Sequence, residues 1–179
     1  MTGSAYGLRI VHDVCMDEQS AGTFDDILSD ANAPMAIVTT AADGRRAGCL
    51  VGFWMQCSLE PRRLLVCISH ANHTASVAAS ATHLCVHLPS RGTDAQLVRH
   101  FGEETGDEVD KFAGIDWAPG PYDIPVLTGL AHIVGRVIAS HGVGDHTAYV
   151  LHPVAANRPA AVRPVHLSDV NDLEPGHPS

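Results

Sequence analysis

The chain has 179 residues, 45% of them hydrophobic, and a formal net charge of −9. That length and apolar content suit one globular domain, which can bury a core without disulfides or a structural metal. Twenty acidic residues stand against eleven basic ones, all arginine except Lys111, and the absence of a basic stripe excludes a nucleic-acid surface.

In chain order, residues 1–19 read as a flexible polar start. TFDDILSDA, from Thr23 to Ala31, predicts a short amphipathic helix with Thr23 as its cap and Phe24, Ile27 and Leu28 on one face. PMAIVTT, from Pro34, is a β-branched run that predicts a buried strand, with a turn at Asp43-Gly44. RRAGCLVGFW extends through about Trp54, and SLEPRR breaks it. LLVCIS predicts a central strand, ASVAASA a short helix after Asn72-His73-Thr74, and HLCVHLP another strand. Asp94 to Phe101 predicts a helix with Leu97, Val98 and Phe101 on its apolar side, followed by an acidic loop in FGEETGDEVDKF. PVLTGLAHIVGRVIAS and HTAYVLHPVAA are extended stretches joined by a hairpin loop over His141–Asp145. Beyond Asn157 the proline-rich chain reads as a surface tail. The expected organisation is therefore a flexible segment over 1–19, a domain over 20–157 and a tail over 158–179. Half a dozen strands with few helices favour a barrel over a doubly wound sheet, which needs a long helix after nearly every strand.

The five cysteines are odd in number and have no CxxC pair, and four fall in apolar runs, so buried free thiols are expected. MTGSAYGLRIVHDVC has neither the basic leader nor the apolar region of a signal peptide, and no stretch approaches the roughly 20 apolar residues of a spanning helix. A cytoplasmic protein is expected, with no membrane partner.

The local chemical signals are sparse. There is no GxGxxG after the first strand, no P-loop, no GxSxG elbow, and no HExxH; His70 and His73 have no third ligand nearby, so no metal site is expected. What stands out is polar groups at strand ends: Thr39 and Thr40, Ser58, and the group Asn72, His73 and Thr74. The last precedes a helix, where free N–H groups and the Thr74 hydroxyl could cradle an anion, or where Asn72 or Thr74 could simply cap.

PMAIVTT with DGRRAG, CSLEPRRLLVCI, NHT, FGEETGDEVDKFAG, PVLTGLAHIVGRV and GDH occur in an order that resembles the flavin reductase family of FMN-binding split-barrel proteins, from about Pro34 to Pro153. The resemblance implies a mainly β fold, a six-stranded antiparallel split barrel with short peripheral helices, paired as a homodimer with flavin near the interface. It implies FMN, or FAD, as cofactor, with NADH or NADPH as hydride donor and a flavin-dependent monooxygenase as recipient of reduced flavin. It places Thr39 and Thr40 against the ring and ribityl portion, Leu50, Val51, Gly52 and Phe53 along the flavin, and Ser58 near the ribityl chain or phosphate. Asn72 and Thr74 become anion-binding positions, and His146 in GDH reaches the nicotinamide side, against the alternative of a loop histidine paired with Asp145. The chain departs from the family at Gly52-Phe53-Trp54-Met55-Gln56, where many members carry small polar residues. Phe53 and Trp54 could stack over the ring, narrow the site or hinder nicotinamide. Two other functions stay open on this basis: an FMN-bound oxidoreductase with its own organic substrate walled by Phe53 and Trp54, and a non-catalytic flavin or haem carrier.

Overall fold

The computed structural model describes residues 16–174 and Gly176. Two units are described separately, one ending at Ala31 and one running from Asn32. In the first, α1 spans Glu18–Ala31. It begins upstream of the expected Thr23 because the Asp17 carboxylate accepts from the Ser20 N–H at 2.8 Å and from the Ser20 hydroxyl, which stabilises an earlier first turn. The Thr23 hydroxyl instead donates to the Gln19 carbonyl within the helix. Phe24, Ile27 and Leu28 are all exposed. The expected flexible start lies, up to Cys15, outside the described residues.

The second unit runs β1 (Ala36–Ala42), β2 (Arg45–Val51), β3 (Trp54–Leu59), β4 (Arg62–Ser69), α2 (His73–Ala78), β5 (His83–Leu88), α3 (Ala95–Glu103), β6 (Trp117–Pro119), β7 (Pro125–Leu127), β8 (Ala131–Val143) and β9 (His146–Asn157). Seven strands form one antiparallel sheet in the order β2-β1-β5-β8-β9-β4-β3, and β6 and β7 form a separate ribbon. This corrects the expected six-stranded split barrel: the sheet has seven strands and is open, with β2 and β3 as edges. The physical reason lies in RRAGCLVGFWMQCS. The run looks like one extended stretch, but its ladder to β1 ends at Val51 and a new ladder to β4 begins at Trp54. Only Gly52 and Phe53 join the two edges. For adjacent residues to serve opposite edges, the sheet must curl until those edges meet at this one corner.

The curl has an inside and an outside. Inside, Val38 of β1, Val51 of β2, Val66 of β4, Val86 of β5 and Leu151 of β9 pack into one core, closed by Ala78 of α2. Outside, Ile37 packs with Phe101 of α3 and Leu127 of β7. β1 is thus covered on both faces, which is why PMAIVTT is apolar without alternation. The long β8–β9 hairpin turns at Gly144-Asp145, inside the expected loop, and bends at Gly135, where an added Cβ would stand 2.7 Å from the Leu151 Cβ. The proline-rich segment after Asn157 returns along the outside, bridging Pro164 to Ser90 and His166 to Pro34. Its Val165 and Val170 are buried with Met35 and Val98.

Candidate functional site

At the corner where the edges meet lies a notch of about 130 Å³, lined by Cys49, Leu50, Val51, Gly52, Phe53, Cys67, Ser69, Asn72 and His146. Two local features build it. The peptides of Gly52 and Phe53 stand between the two ladders, and the Phe53 carbonyl is tied down by the Cys67 N–H at 2.8 Å. This leaves the Gly52 and Phe53 N–H groups outside either ladder. His146, the first residue of β9, sits opposite Ser69 in register, with its ring 5.3 Å from that of Phe53.

His146 Nδ1 lies 2.7 Å from the Asp145 carboxylate. That hydrogen bond holds the Asp145 carboxyl below the usual carboxylate range, so it stays ionised and keeps accepting from Nδ1–H at neutral pH. Nε2 is then the nitrogen left for a ligand. The turn is fixed further by His70, whose N–H donates to the Asp145 carbonyl at 2.9 Å and whose ring meets the Thr147 hydroxyl at 3.0 Å.

Of the positions that the resemblance implies, Leu50, Val51, Gly52, Phe53, Asn72 and His146 come together at the notch. Thr39, Thr40, Ser58 and Thr74 do not line the notch. On doubly covered β1, a threonine hydroxyl must find an acceptor inside the protein. Thr39 donates to the Pro125 carbonyl on the outer side, and Thr40 to the His83 carbonyl at 2.9 Å. Ser58 follows a register shift in β3, and its carbonyl accepts from the Gln56 amide at 3.1 Å. Thr74 is buried, and its hydroxyl lies beside the Cys49 thiol. Asn72 caps α2, its side-chain oxygen accepting from the Thr74 N–H at 3.0 Å. Asn72→Ala is expected to cost about 1 kcal/mol, lowering the melting temperature by roughly 2–4 °C, readable in a thermal melt.

Sequence reasoning missed Cys49, Cys67 and Ser69 as lining residues. The signal was the alternation in LLVCIS, which buries Val66 and Ile68 on one face and turns Cys67 and Ser69 to the other. Burial pushes the Cys49 thiol up to about 11, against a smaller opposing effect of the Thr74 hydroxyl, and also raises Cys67, so both stay protonated at neutral pH. Cys57 is exposed on edge strand β3, while Cys49 and Cys85 are buried free thiols. Trp54 is not a wall of the notch: its Nε1–H donates to the Pro34 carbonyl at 2.8 Å, and the ring packs on the inner core. Phe53 alone, 60% exposed, stands over the opening. Among the described residues, no cluster of metal-ligating side chains gathers, and no helix is long and apolar enough to cross a membrane.

A flavin ring presents two broad apolar faces and a polar pyrimidine edge. Leu50, Val51 and Phe53 match the faces, and backbone N–H groups at Gly52 and Phe53 match the edge, so the residues fit the group. The Flavin reductase like domain family matches residues 28–169 of the chain. The chain belongs to this family. This flavin reductase-like protein is 32% identical over 124 residues to the reductase subunit HsaB of a flavin-dependent monooxygenase from Rhodococcus jostii, a match spanning 69% of the chain and 62% of that relative. The HsaB reductase subunit of Mycobacterium tuberculosis is 28% identical over 158 residues, spanning 86% of the chain and 82% of the relative. Among solved structures, nitrilotriacetate monooxygenase component B from Mycobacterium thermoresistibile superposes with a TM-score of 0.68 at 26% identity, covering 78% of the chain and 76% of that structure.

Proposed function

We propose that this flavin reductase-like protein is an NAD(P)H:flavin oxidoreductase that holds FMN or FAD in the corner notch and supplies reduced flavin to a separate monooxygenase. The observation that carries this reading is the convergence of the Leu50–Phe53 backbone with His146 at the one corner where the sheet's edges meet. Flavin, when bound, would supply the redox chemistry as acceptor of a hydride from reduced nicotinamide. The protein supplies alignment and shielding. Leu50, Val51 and Phe53 keep water from the ring faces, while the Gly52 and Phe53 N–H groups would orient the pyrimidine edge and favour negative charge on it. His146, with Nδ1 committed to Asp145, offers Nε2 to the nicotinamide carboxamide. With Trp54 pinned to Pro34, one aromatic rather than two guards the entrance, which favours nicotinamide access over a walled pocket for another substrate. Anaerobic titration of the flavin-loaded protein with NADH and NADPH in parallel tests this. Bleaching of the flavin absorbance by at least one of them is expected, and a spectrum unchanged by both would overturn it.

The same reading includes a second copy of the chain. The notch of about 130 Å³ is open and leaves much of a flavin ring uncovered, which favours a partner surface closing over it. Edge strand β3, paired only with β4, carries Met55 at 58% and Leu59 at 78% exposure, apolar groups beside a free edge that a partner would cover. Light scattering on a sizing column is expected to give a dimer, whereas monomer alone at micromolar concentration with flavin bound would refute it. We place the protein in the cytoplasm, a reducing compartment in keeping with free thiols at Cys49, Cys57, Cys67 and Cys85.

A further inference from the structure

The segment after Asn157, which the sequence suggests is a surface tail, returns to the back of the notch. Its backbone is tied to two strips of chain. On one side the Val165 N–H donates to the Pro89 carbonyl at 3.3 Å, and the Arg91 N–H to the Arg163 carbonyl at 2.8 Å. On the other, the Met35 N–H donates to the Val165 carbonyl at 2.8 Å, and the Leu167 N–H to the Ala33 carbonyl at 3.0 Å. The tail thus holds residues 33–35, and these in turn touch the corner. The Trp54 indole donates to the Pro34 carbonyl, and Met35 Sδ lies 3.4 Å from where a Cβ on Gly52 would stand.

Leu173 reaches the notch more directly. Its Cδ1 and the Cδ2 of Leu50 each lie 3.2 Å from where a Cβ on Gly102 would stand, so the two leucines converge over this glycine of α3. Both pack on the buried group of Met35, Val98, Val165 and Val170. Leu50 and Gly52 line the notch, so the tail stands behind its apolar wall and behind its free N–H groups. Ion pairs of Arg91 with Asp169 and of Arg99 with Asp172 set where the tail lies. These pairs are partly solvated and contribute little by themselves, so the hold comes from the buried apolar groups. Asp172 and Leu173 lie past residue 169, where the family match ends.

We propose that the returning tail is a positioning element of the notch, with Leu173 as a positioning residue that fixes the Gly52 and Phe53 peptides through Leu50 and Met35. It rests on the functional reading above for the identity of the ligand, but not for the mechanical link. A close-packed interior passes a displacement on to the groups it touches, so a gap at Leu173 would loosen the corner first. A tail that merely covers the core is the competing account, and its weakening would be felt alike throughout the molecule.

The test is hydrogen exchange, followed by NMR on the full chain and on Leu173→Ala without flavin, alongside equilibrium dialysis of both with FMN. Two protons report on the corner: the Cys67 N–H, held by the Phe53 carbonyl at 2.8 Å, and the Trp54 indole N–H, held by Pro34. In Leu173→Ala both are expected to exchange about five-fold or more faster, with the β5–β8 ladder within about two-fold and FMN bound about five-fold or more weakly. Leu173→Met, which refills the same space, should keep the wild-type values. Ile124→Val, placed in a separate buried group with Cys85 and Val134, should lower the melting temperature and leave the corner protons and FMN affinity unchanged. Uniformly faster exchange in Leu173→Ala, unchanged corner protons, unchanged FMN affinity, or an equal corner response to Ile124→Val would each overturn the positioning role. If Leu173→Ala does not fold, Leu173→Val is read in its place. Wild-type protein that binds no flavin would instead refute the functional reading, while the exchange of the corner protons would still decide the mechanical link.

Discussion

Replacing His146 with alanine is expected to slow anaerobic reduction of bound flavin by NAD(P)H about ten-fold or more while leaving flavin affinity within a few-fold, a loss of about 1.4 kcal/mol of transition-state stabilisation. The expectation comes from position. His146 begins β9 at the rim of the notch, against the Phe53 ring, with one nitrogen held by Asp145 and the other open. It can orient the nicotinamide, but no proton need pass through it for hydride transfer, so the effect should be moderate rather than abolishing. Asp145→Asn should slow reduction less, because the imidazole remains while its orienting carboxylate is lost. Rapid-mixing measurement of the flavin absorbance decay reads both variants. A His146→Ala protein that reduces flavin at the wild-type rate would leave His146 as a loop histidine held by its neighbour.

The folded chain should also lose several kilocalories of stability between neutral and mildly acidic pH, with His87 as the principal cause. This ring is fully buried in β5. Its Nδ1–H donates to the Ile37 carbonyl at 3.1 Å, and Nε2 accepts from the Leu127 N–H at 3.1 Å, so the neutral ring links β1, β5 and β7. Protonating Nε2 would set two donors against each other in an apolar site. Burial accordingly lowers the pKa to about 3 from 6.5, outweighing the opposing hydrogen bond to Ile37, with His132 adding slightly to the fall. Because the folded value is the lower one, the unfolded chain binds more protons below pH 6.5. The contribution is complete above about pH 6.5 and is lost as pH falls towards 3. At about 1.36 kcal/mol per pH unit, some 3 kcal/mol goes between pH 6.5 and 4, or roughly 6–12 °C in melting temperature. His83, lowered by burial and by Arg136, acts in the same direction. The carboxylates that their histidine partners hold below the usual range, such as Asp107 and Asp145, respond at more acidic pH. Denaturant melts at pH 7 and pH 4 should show a smaller loss for His87→Gln than for the wild type, even if the variant starts less stable. Parallel losses would remove His87 from the acid response.

Local pattern located most of the strands and helices, since period-two and helical spacing are properties of neighbouring residues. PMAIVTT, HLCVHLP and the two segments around Gly144-Asp145 became β1, β5, β8 and β9. The ordered motifs pointed to the family, and of the site positions that the resemblance implied, Leu50–Phe53, Asn72 and His146 line the notch while Thr39, Thr40, Ser58 and Thr74 do not. What the chain could not display locally was where its edges lie. RRAGCLVGFWMQCS reads as one extended run because the break at Gly52-Phe53 is made by distant pairing, of β2 with β1 and of β3 with β4. The same cause misplaced the threonines: hydroxyls at a strand end look available, but Thr39 and Thr40 sit on a strand covered from both sides, by residues such as Pro125 and His83 far along the chain. Lys111 looked like one cation in an acidic loop. Only folding shows it buried at the floor of a cavity without a carboxylate partner among the described residues, because burial and unmet charge depend on what the rest of the chain brings around a side chain.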